Sequence, residues 1–156
     1  MKDKFSQIHI FSTDTVTGIG GPISEETLNL LYELKNRPRE KKIMILVASL
    51  EQAQKFPQWT PGATKVAQKY WPGAYSIIVN NQGFRMPNND LLLQFLEKKG
   101  PMYVTSANLS GSKPIDINQA KEIFPQIKNV HDFGLCSGKP STLINLDKDF
   151  EIINRN

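Results

Sequence analysis

The chain has 156 residues, of which 39% are hydrophobic and 22% charged, and these values are ordinary for one globular domain with a hydrophobic core. Its single cysteine, Cys136, excludes an intramolecular disulfide and a cysteine zinc cluster. No apolar run approaches the ~20 residues of a membrane span, and the first residues lack an apolar signal region. We therefore expect a cytoplasmic protein with no membrane partner. The net charge of +4 permits attraction to polyanions such as RNA, and it fits a basic solvated surface equally well.

The first part of the chain predicts a strand, a loop, a helix and a second strand, in that order. Residues 7–12 alternate weakly and predict a strand, which runs into a polar, glycine-ended loop over residues 13–21. Ser24 is a suitable N-cap for a helix, which ends before Pro38 because proline disfavours helical geometry in the preceding residue. The continuous apolar run over residues 43–48 is typical of a central strand.

The rest of the chain continues this alternation. Helices are predicted from Ser49 and over residues 60–71, 89–99 and 117–124. Strands are predicted over residues 75–80, 84–87, 102–105, 129–133, 142–146 and 151–154. We find no internal repeat and no linker in the sequence, so we expect one α/β domain over residues 1–156, with a sheet covered by helices.

The most informative segment for function comprises residues 106–111, with the sequence Ser-Ala-Asn-Leu-Ser-Gly. It follows an apolar run that predicts a buried strand. Small hydroxyl, amide and glycine residues at the end of a strand present hydroxyls, an amide and exposed main-chain N–H groups at one point. Phosphates and carboxylates are bound by such groups. Together with two cations upstream, this segment predicts a nucleotide site.

Those two cations, Lys35 and Arg37, stand at the end of the first predicted helix. Residues two apart do not share a helix face, but both side chains could reach one ligand if the helix unwinds at Asn36. Arginine offers phosphate a bidentate fork, and lysine offers a point charge. Two interpretations stay open: a phosphate-binding pair, and a solvated cationic helix end that the helix dipole favours.

An arginine inside an apolar segment is the next candidate. Arg85 lies between two apolar neighbours, and a charge in such surroundings has to pair with another charge or bind an anion. A ligand carboxylate and a structural salt bridge are equally consistent with the sequence. Upstream, Thr13, Thr15 and Thr17 alternate along an extended segment. Their hydroxyls could line a pocket, or the threonines could simply be strand-favouring residues.

The sequence offers no recognisable acid–base or metal motif. His9 and His131 are too far apart in sequence to suggest a metal pair, and each is interpreted as structural. No two carboxylates stand out as a couple, and the chain has neither a Walker lysine loop nor a nucleophile elbow. Any catalysis is therefore expected to rest on positioning and on stabilisation of phosphate charge, with a divalent ion held largely by a nucleotide.

Seven segments resemble, in order, the motifs of one known family. They are Ser-Thr-Asp-Thr-Val-Thr-Gly-Ile at 12–19, Lys-Asn-Arg-Pro at 35–38, Trp-Pro-Gly at 71–73, Arg-Met-Pro at 85–87, Ser-Ala-Asn-Leu-Ser-Gly at 106–111, Ser-Thr-Leu-Ile at 141–144 and Ile-Ile-Asn-Arg at 152–155. This set resembles the YrdC/TsaC family, the threonylcarbamoyl-AMP synthases. The resemblance spans nearly the whole chain.

The resemblance implies a twisted mixed sheet covered by helices, with a central, positively charged cavity. It implies a nucleotidyltransferase that condenses L-threonine, bicarbonate and ATP into threonylcarbamoyl-AMP and releases pyrophosphate, with Mg²⁺ accompanying the ATP. The product would feed the threonylcarbamoyladenosine modification of tRNA through a downstream threonylcarbamoyl transferase complex. The tRNA itself is a further candidate contact.

The resemblance also implies roles for individual residues. It implies ATP contacts by Lys35, Arg37, Ser106, Asn108 and Arg155. Lys35 and Arg37 would orient the substrates, and no residue is assigned as certainly catalytic or as a metal ligand. It implies L-threonine contacts by Thr15, Arg85 and Thr142, with Arg85 taking the carboxylate of the amino acid.

Several positions depart from the family pattern; among them, Ser12 replaces a proline, Thr17 a tyrosine, Ala74 a proline and Ser76 a threonine. These departures and the basic net charge keep a second hypothesis open, a binding module that holds RNA or nucleotide without synthase activity. A third hypothesis is an enzyme that makes a carbamoyl-adenylate from carbamoyl phosphate, as larger hydrogenase-maturation proteins with this domain do. We expect no additional domain here, which argues against the third hypothesis.

Overall fold

The computed structural model describes residues 3–36, 38–39, 42–108 and 112–155. Within these ranges the strands are β1 (His9–Phe11), β2 (Gly18–Pro22), β3 (Met44–Leu46), β4 (Tyr75–Val79), β5 (Gln82–Arg85), β6 (Met102–Ser106), β7 (Asn129–His131), β8 (Thr142–Asn145) and β9 (Glu151–Ile153). The helices are α1 (Glu25–Lys35), α2 (Leu50–Gln54), α3 (Pro61–Tyr70), α4 (Asp90–Lys99) and α5 (Ile117–Ile123). None of these helices, in the ranges given, has the length and apolarity that crossing a lipid bilayer requires.

The strands described above form one mixed sheet in the order β7-β1-β2-β6-β3-β5-β4-β8-β9. Strand β3 occupies the centre, where it pairs with β6 in antiparallel and with β5 in parallel orientation. The prediction of a central strand within residues 43–48 is therefore confirmed. The predicted fold class, an α/β structure with a twisted mixed sheet covered by helices, is confirmed as well.

The helices divide unequally between the two faces of the sheet. Ile45 packs in a cluster with buried residues of α2 and α3, whereas its neighbour Leu46 packs with Leu92 and Leu96 of α4. Neighbouring residues of a strand point to opposite faces, so α4 covers the face opposite to α2 and α3. Helices α1 and α5 contribute to a further cluster around Ile19, on the same side of the sheet as Ile45. The face that α4 covers holds the site described below.

The glycine-rich segment at residues 18–21 is a strand, and the prediction of a loop there was wrong. Strand β2 pairs with both β1 and β6. A Cβ placed on Gly20 would lie 2.3 Å from the main-chain oxygen of Tyr103 and 2.7 Å from Val104 Cγ2. The glycines therefore permit close approach of packed neighbours inside the sheet, and they do not mark a turn.

Helix α1 begins and ends where the sequence predicts. The Ser24 hydroxyl accepts a hydrogen bond from Thr27 N, which is the N-cap arrangement. At the other end, Asn36 adopts a left-handed conformation (φ 51°) and its N–H donates to Glu33 O and Tyr32 O. Asparagine tolerates this conformation better than most residues, so the helix ends at Lys35. The end of the helix places the Lys35 side chain against strand β6.

Candidate functional site

A cavity of about 340 Å³ lies on the face of the sheet shared with α4. Met44 and Leu46 of β3 and Val104 and Ser106 of β6 form part of its wall, because alternate residues of each strand point to this face. Strands β4 and β5 contribute Ser76 and Arg85 to the lining. The other lining residues lie in the segments that follow β1, β6 and β9 and in the segment that precedes β8. Residues far apart in sequence therefore meet at one place.

Arg85 forms a buried ion pair with Asp14 at this cavity. The Arg85 Nη1 lies 2.7 Å from Asp14 Oδ1, and the two side chains are 5% and 15% exposed. Nη1 also donates to Gly73 O at 3.0 Å. The second carboxylate oxygen of Asp14 accepts from Asn88 N at 2.9 Å. Of the two interpretations left open by the sequence, the structural salt bridge is present, and Arg85 lines the cavity as well.

The predicted threonine cluster is only partly brought to the cavity. Thr15 Oγ1 accepts from Arg85 Nη2 at 3.0 Å and lies 3.1 Å from Thr13 Oγ1. Thr13 and Thr15 line the cavity. Thr17 is buried outside the lining, with its Oγ1 3.9 Å from Cys136 Sγ. The alternation rule fails here because residues 13–17 are not an extended strand.

Lys35 reaches the end of β6 from behind the sheet. Its side chain is 1% exposed, and Nζ donates to the main-chain oxygen of Ser106, to Thr105 Oγ1 at 3.2 Å and to Ser106 Oγ at 3.4 Å. It is outside the lining of the cavity as the described residues define it. Lys35 therefore holds the strand end that carries Ser106. Arg37, the second predicted cation, lies outside the described residues.

The Ser-Ala-Asn segment places two of its predicted ligands at the cavity. Ser106 and Asn108 both line it, and Asn108 is buried. The Asn108 amide donates from Nδ2 to Ser112 O at 2.7 Å, which joins the two ends of the following loop. Residues 109–111, the rest of the predicted segment, lie outside the described residues.

Arg155 lines the cavity and is held by Ser141. Its Nε donates to Ser141 O at 2.9 Å, and its Nη2 donates to Ser141 Oγ at 2.8 Å. Ser141 Oγ is in turn 2.6 Å from Ser76 Oγ, and all three residues line the cavity. Thr142, predicted as a threonine contact, is outside this lining, and its N–H continues the pairing with Ala74 O.

Residue-level reasoning did not single out Ser141, Ser112 or Lys42, although each lines the cavity. For Lys42 the sequence did contain an indication. Lys42 precedes Met44 by two residues and Leu46 by four, so an extension of strand β3 toward its N-terminus directs Lys42 to the same face of the sheet. Ser141 was indicated only by the motif at residues 141–144, and Ser112 offered no signal, because each lies in an irregular segment.

The two histidines form a contact outside the cavity. His9 Nδ1 lies 3.0 Å from His131 Nε2, because the parallel pairing of β1 with β7 brings them together across 122 residues. The long separation of the two histidines in the sequence therefore does not keep them apart in the fold. The pKa of His9 is lowered to about 4, first by burial and then by the nearby His131 and Lys99. No group of three or more potential metal ligands occurs among the described residues.

The fold and the motifs at the cavity agree with a family comparison. The family model described as "Telomere recombination", for the Sua5, YciO and YrdC proteins, matches residues 5–156. The chain therefore belongs to the Sua5/YciO/YrdC family, and the resemblance noted in the sequence is confirmed.

Two relatives and one solved structure illustrate the similarity. A "Putative threonylcarbamoyl-AMP synthase" of Methanocaldococcus jannaschii is 28% identical over 92% of this chain and 76% of its own length. The "Threonylcarbamoyl-AMP synthase" of Pyrococcus abyssi is 28% identical over 87% of this chain and 46% of its own length. The crystal structure of P. abyssi Sua5 complexed with L-threonine superposes with a TM-score of 0.82 at 27% identity, over 93% of this chain and 48% of that one. The chain thus spans about half the length of the Pyrococcus protein.

Proposed function

We propose that the protein is a threonylcarbamoyl-AMP synthase, which condenses L-threonine, bicarbonate and ATP and releases pyrophosphate. One observation carries this proposal: a single cavity is lined by Thr15 and Arg85, the predicted threonine contacts, and by Ser106, Asn108 and Arg155, the predicted ATP contacts. The names of the Methanocaldococcus and Pyrococcus relatives support it. The threonine bound to the related Sua5 structure supports an amino-acid substrate.

The geometry of Arg85 supports a carboxylate ligand in spite of the salt bridge. A guanidinium has five N–H donors. Among the described contacts, Nη1 uses its two hydrogens on Asp14 and Gly73, and Nη2 uses one on Thr15. The Nε hydrogen and one Nη2 hydrogen have no partner among these contacts. In this proposal they bind the carboxylate, while Asp14 fixes the orientation of the guanidinium.

Three further residues of the cavity suit the phosphates of ATP. Ser106 and Asn108 contribute a hydroxyl and a carboxamide at the end of β6, and Arg155 contributes a guanidinium that Ser141 orients. In this proposal Arg155 neutralises charge on the phosphates, and Lys35 keeps the β6 end in place. The family resemblance implies that Lys35 and Arg37 both contact ATP. We assign Lys35 this supporting role and retain Arg37 as a phosphate contact.

The donor set of the cavity fits a magnesium ion carried by ATP better than one held by the protein. Among the described lining residues we find hydroxyls, an amide and cations, and no carboxylate. Mg²⁺ commonly keeps several waters and binds substrate phosphates. We therefore treat MgATP as the substrate. The ion would reduce the negative charge of the phosphates, and the side chains of the cavity would position the reactants.

The product, threonylcarbamoyl-AMP, would be passed to a downstream threonylcarbamoyl transferase complex that modifies tRNA. A cytoplasmic location and direct contact with tRNA belong to the same proposal. The basic net charge of +4 favours contact with a polyanion.

The decisive experiment measures pyrophosphate release by the purified protein with MgATP, bicarbonate and L-threonine, omitting each component in turn. Release that requires both threonine and bicarbonate supports the synthase. Arg85→Ala should then raise the KM for threonine more than the KM for ATP. Folded protein that binds ATP but releases no pyrophosphate would contradict the synthase and favour a binding module. In that case RNA binding that weakens steeply with salt is the expected alternative activity.

A further inference from the structure

Lys42 is a cavity residue to which neither the sequence motifs nor the proposed reaction assigns a role. It precedes β3, and Lys42, Met44 and Leu46 all line the cavity, as expected for alternate residues of one extended segment. Strand β3 pairs with β6 so that Met44 faces Val104. Continuing this register by two residues brings Lys42 opposite Ser106, the first residue of the predicted phosphate-binding segment.

Lys35 and Lys42 approach Ser106 from different sides of the sheet. Lys35 belongs to α1 and is 1% exposed, with its ammonium on the main-chain oxygen of Ser106 behind the strand. Lys42 lines the cavity in front of the strand. Lys42 is thus a second lysine beside Ser106, on the face of the sheet that the cavity occupies.

The charges around the cavity indicate which kind of ligand Lys42 would meet. The charged residues among its described lining are Lys42, Arg85 and Arg155, and all three are cationic. Asp14 compensates the charge of Arg85. The described charges on the wall of the cavity are therefore positive, which favours an anionic ligand. Lysine binds phosphate as a point charge, without the planar fork that makes arginine suited to carboxylates.

We propose that Lys42 binds the phosphate chain of the nucleotide, on the cavity side of Ser106. This inference rests on the proposed function, since it takes the polyanionic ligand to be ATP. It assigns Lys42 to the phosphates and leaves the adenosine and the threonine to other residues. The contribution of Lys42 should therefore depend on how many phosphates the nucleotide carries.

The test compares the binding of ATP and AMP to the purified chain by calorimetry, without measuring turnover. Lys42→Met removes the ammonium and keeps an unbranched side chain. The matched control is Lys128→Met, because Lys128 is exposed and lies outside the cavity lining. Losing one charge-assisted contact should weaken ATP binding about 10- to 100-fold and AMP binding less than about threefold. Lys42→Arg should retain most of the affinity for ATP, and inorganic tripolyphosphate should bind Lys42→Met more weakly than it binds the wild type.

Equal affinity for ATP in the wild type, Lys42→Met and Lys128→Met would overturn the inference. An equal loss of ATP and AMP binding would also overturn it, because it would indicate a structural role. If Lys42→Met fails to fold, Lys42→Gln takes its place under the same criteria. Wild-type protein that binds ATP but makes no threonylcarbamoyl-AMP would contradict the proposed function alone, whereas wild-type protein that binds no ATP would contradict both proposals.

Discussion

The carboxylate of Asp14 and the guanidinium of Arg85 lie 2.7 Å apart, although the two residues are separated by 71 positions in the chain. The pair joins the loop after β1 to the end of β5. Through the second oxygen of Asp14 it also holds Asn88, just before α4. Both side chains are largely buried, so the ion pair is part of the framework of the cavity.

Asp14→Asn should destabilise the protein, because it leaves the buried charge of Arg85 without its counter-charge. Removing one partner of a buried pair costs about 3 kcal/mol or more in the free energy of unfolding. Urea denaturation at neutral pH measures this loss. The double variant Asp14→Asn/Arg85→Met should lose less than the sum of the two single variants.

The control for this prediction is the exposed pair of Lys4 and Glu33, whose nitrogen and oxygen lie 3.2 Å apart with side chains 59% and 57% exposed. Glu33→Gln should change the free energy of unfolding by about 1 kcal/mol or less, because solvent screens exposed charges. Similar losses for Asp14→Asn and Glu33→Gln would contradict the structural role of the buried pair.

Lys35→Met should weaken both the fold and the binding of ATP. The substitution removes the donor that satisfies Ser106 O and Thr105 Oγ1. Leaving a buried acceptor unsatisfied costs about 1–3 kcal/mol, and the end of β6 would lose its support. Thermal unfolding and ATP titration measure the two effects. The matched variant Lys121→Met, at an exposed position of α5, should change neither by a comparable amount. Unaltered ATP affinity in a folded Lys35→Met protein would refute the supporting role.

Ser12 makes two hydrogen bonds, and a proline at this position could make neither of them. Its N–H donates to His131 O at 3.2 Å, and its hydroxyl accepts from Phe133 N at 2.6 Å. Ser12→Ala should lower the free energy of unfolding by about 1 kcal/mol, through loss of the hydroxyl. Ser12→Pro should lower it further, because proline also lacks the N–H. Thermal unfolding distinguishes the two, and a proline variant as stable as the alanine variant would count against the contact with His131.

The contact between His9 and His131 should make the fold sensitive to mild acid. The pKa of His9 is lowered from 6.5 to about 4, mainly by burial, and burial also lowers the pKa of His131. Below pH 6.5 the unfolded chain therefore takes up protons before the folded protein does. The part of the folding stability that depends on neutral His9 and His131 is fully present above pH 6.5, and it is lost progressively as the pH falls toward 4.

Urea midpoints measured between pH 7 and pH 4.5 test this dependence. In the double variant His9→Gln/His131→Gln, the decline in stability between these values should be smaller than in the wild type. Carboxylates elsewhere in the chain provide a background that is common to both proteins, so the difference between the two curves reports on the histidines. Parallel curves would show that the histidine pair has no part in the acid response.

Much of the architecture could be predicted from the sequence because local patterns dictate it. Ser24, Thr60 and Asn89 each cap a helix where the sequence predicts one, since capping depends on residues only three positions apart. The apolar run at residues 43–48 became the central strand. The strand β2 was missed because glycines ordinarily indicate turns, and only contact with Tyr103 and Val104 explains why glycine is needed there.

The sequence by itself determined the residue types of the site, through the ordered motifs that contain Arg85, Ser106, Asn108 and Arg155. The tertiary structure decided which side of the sheet each residue reaches. Lys35 and Lys42 are both basic residues near one end of a strand, yet one lies behind Ser106 and the other lines the cavity. Pairing across 71 residues likewise gave Arg85 its partner Asp14. Such pairings depend on strand register and on the face of the sheet that each helix covers, and no local sequence pattern encodes either.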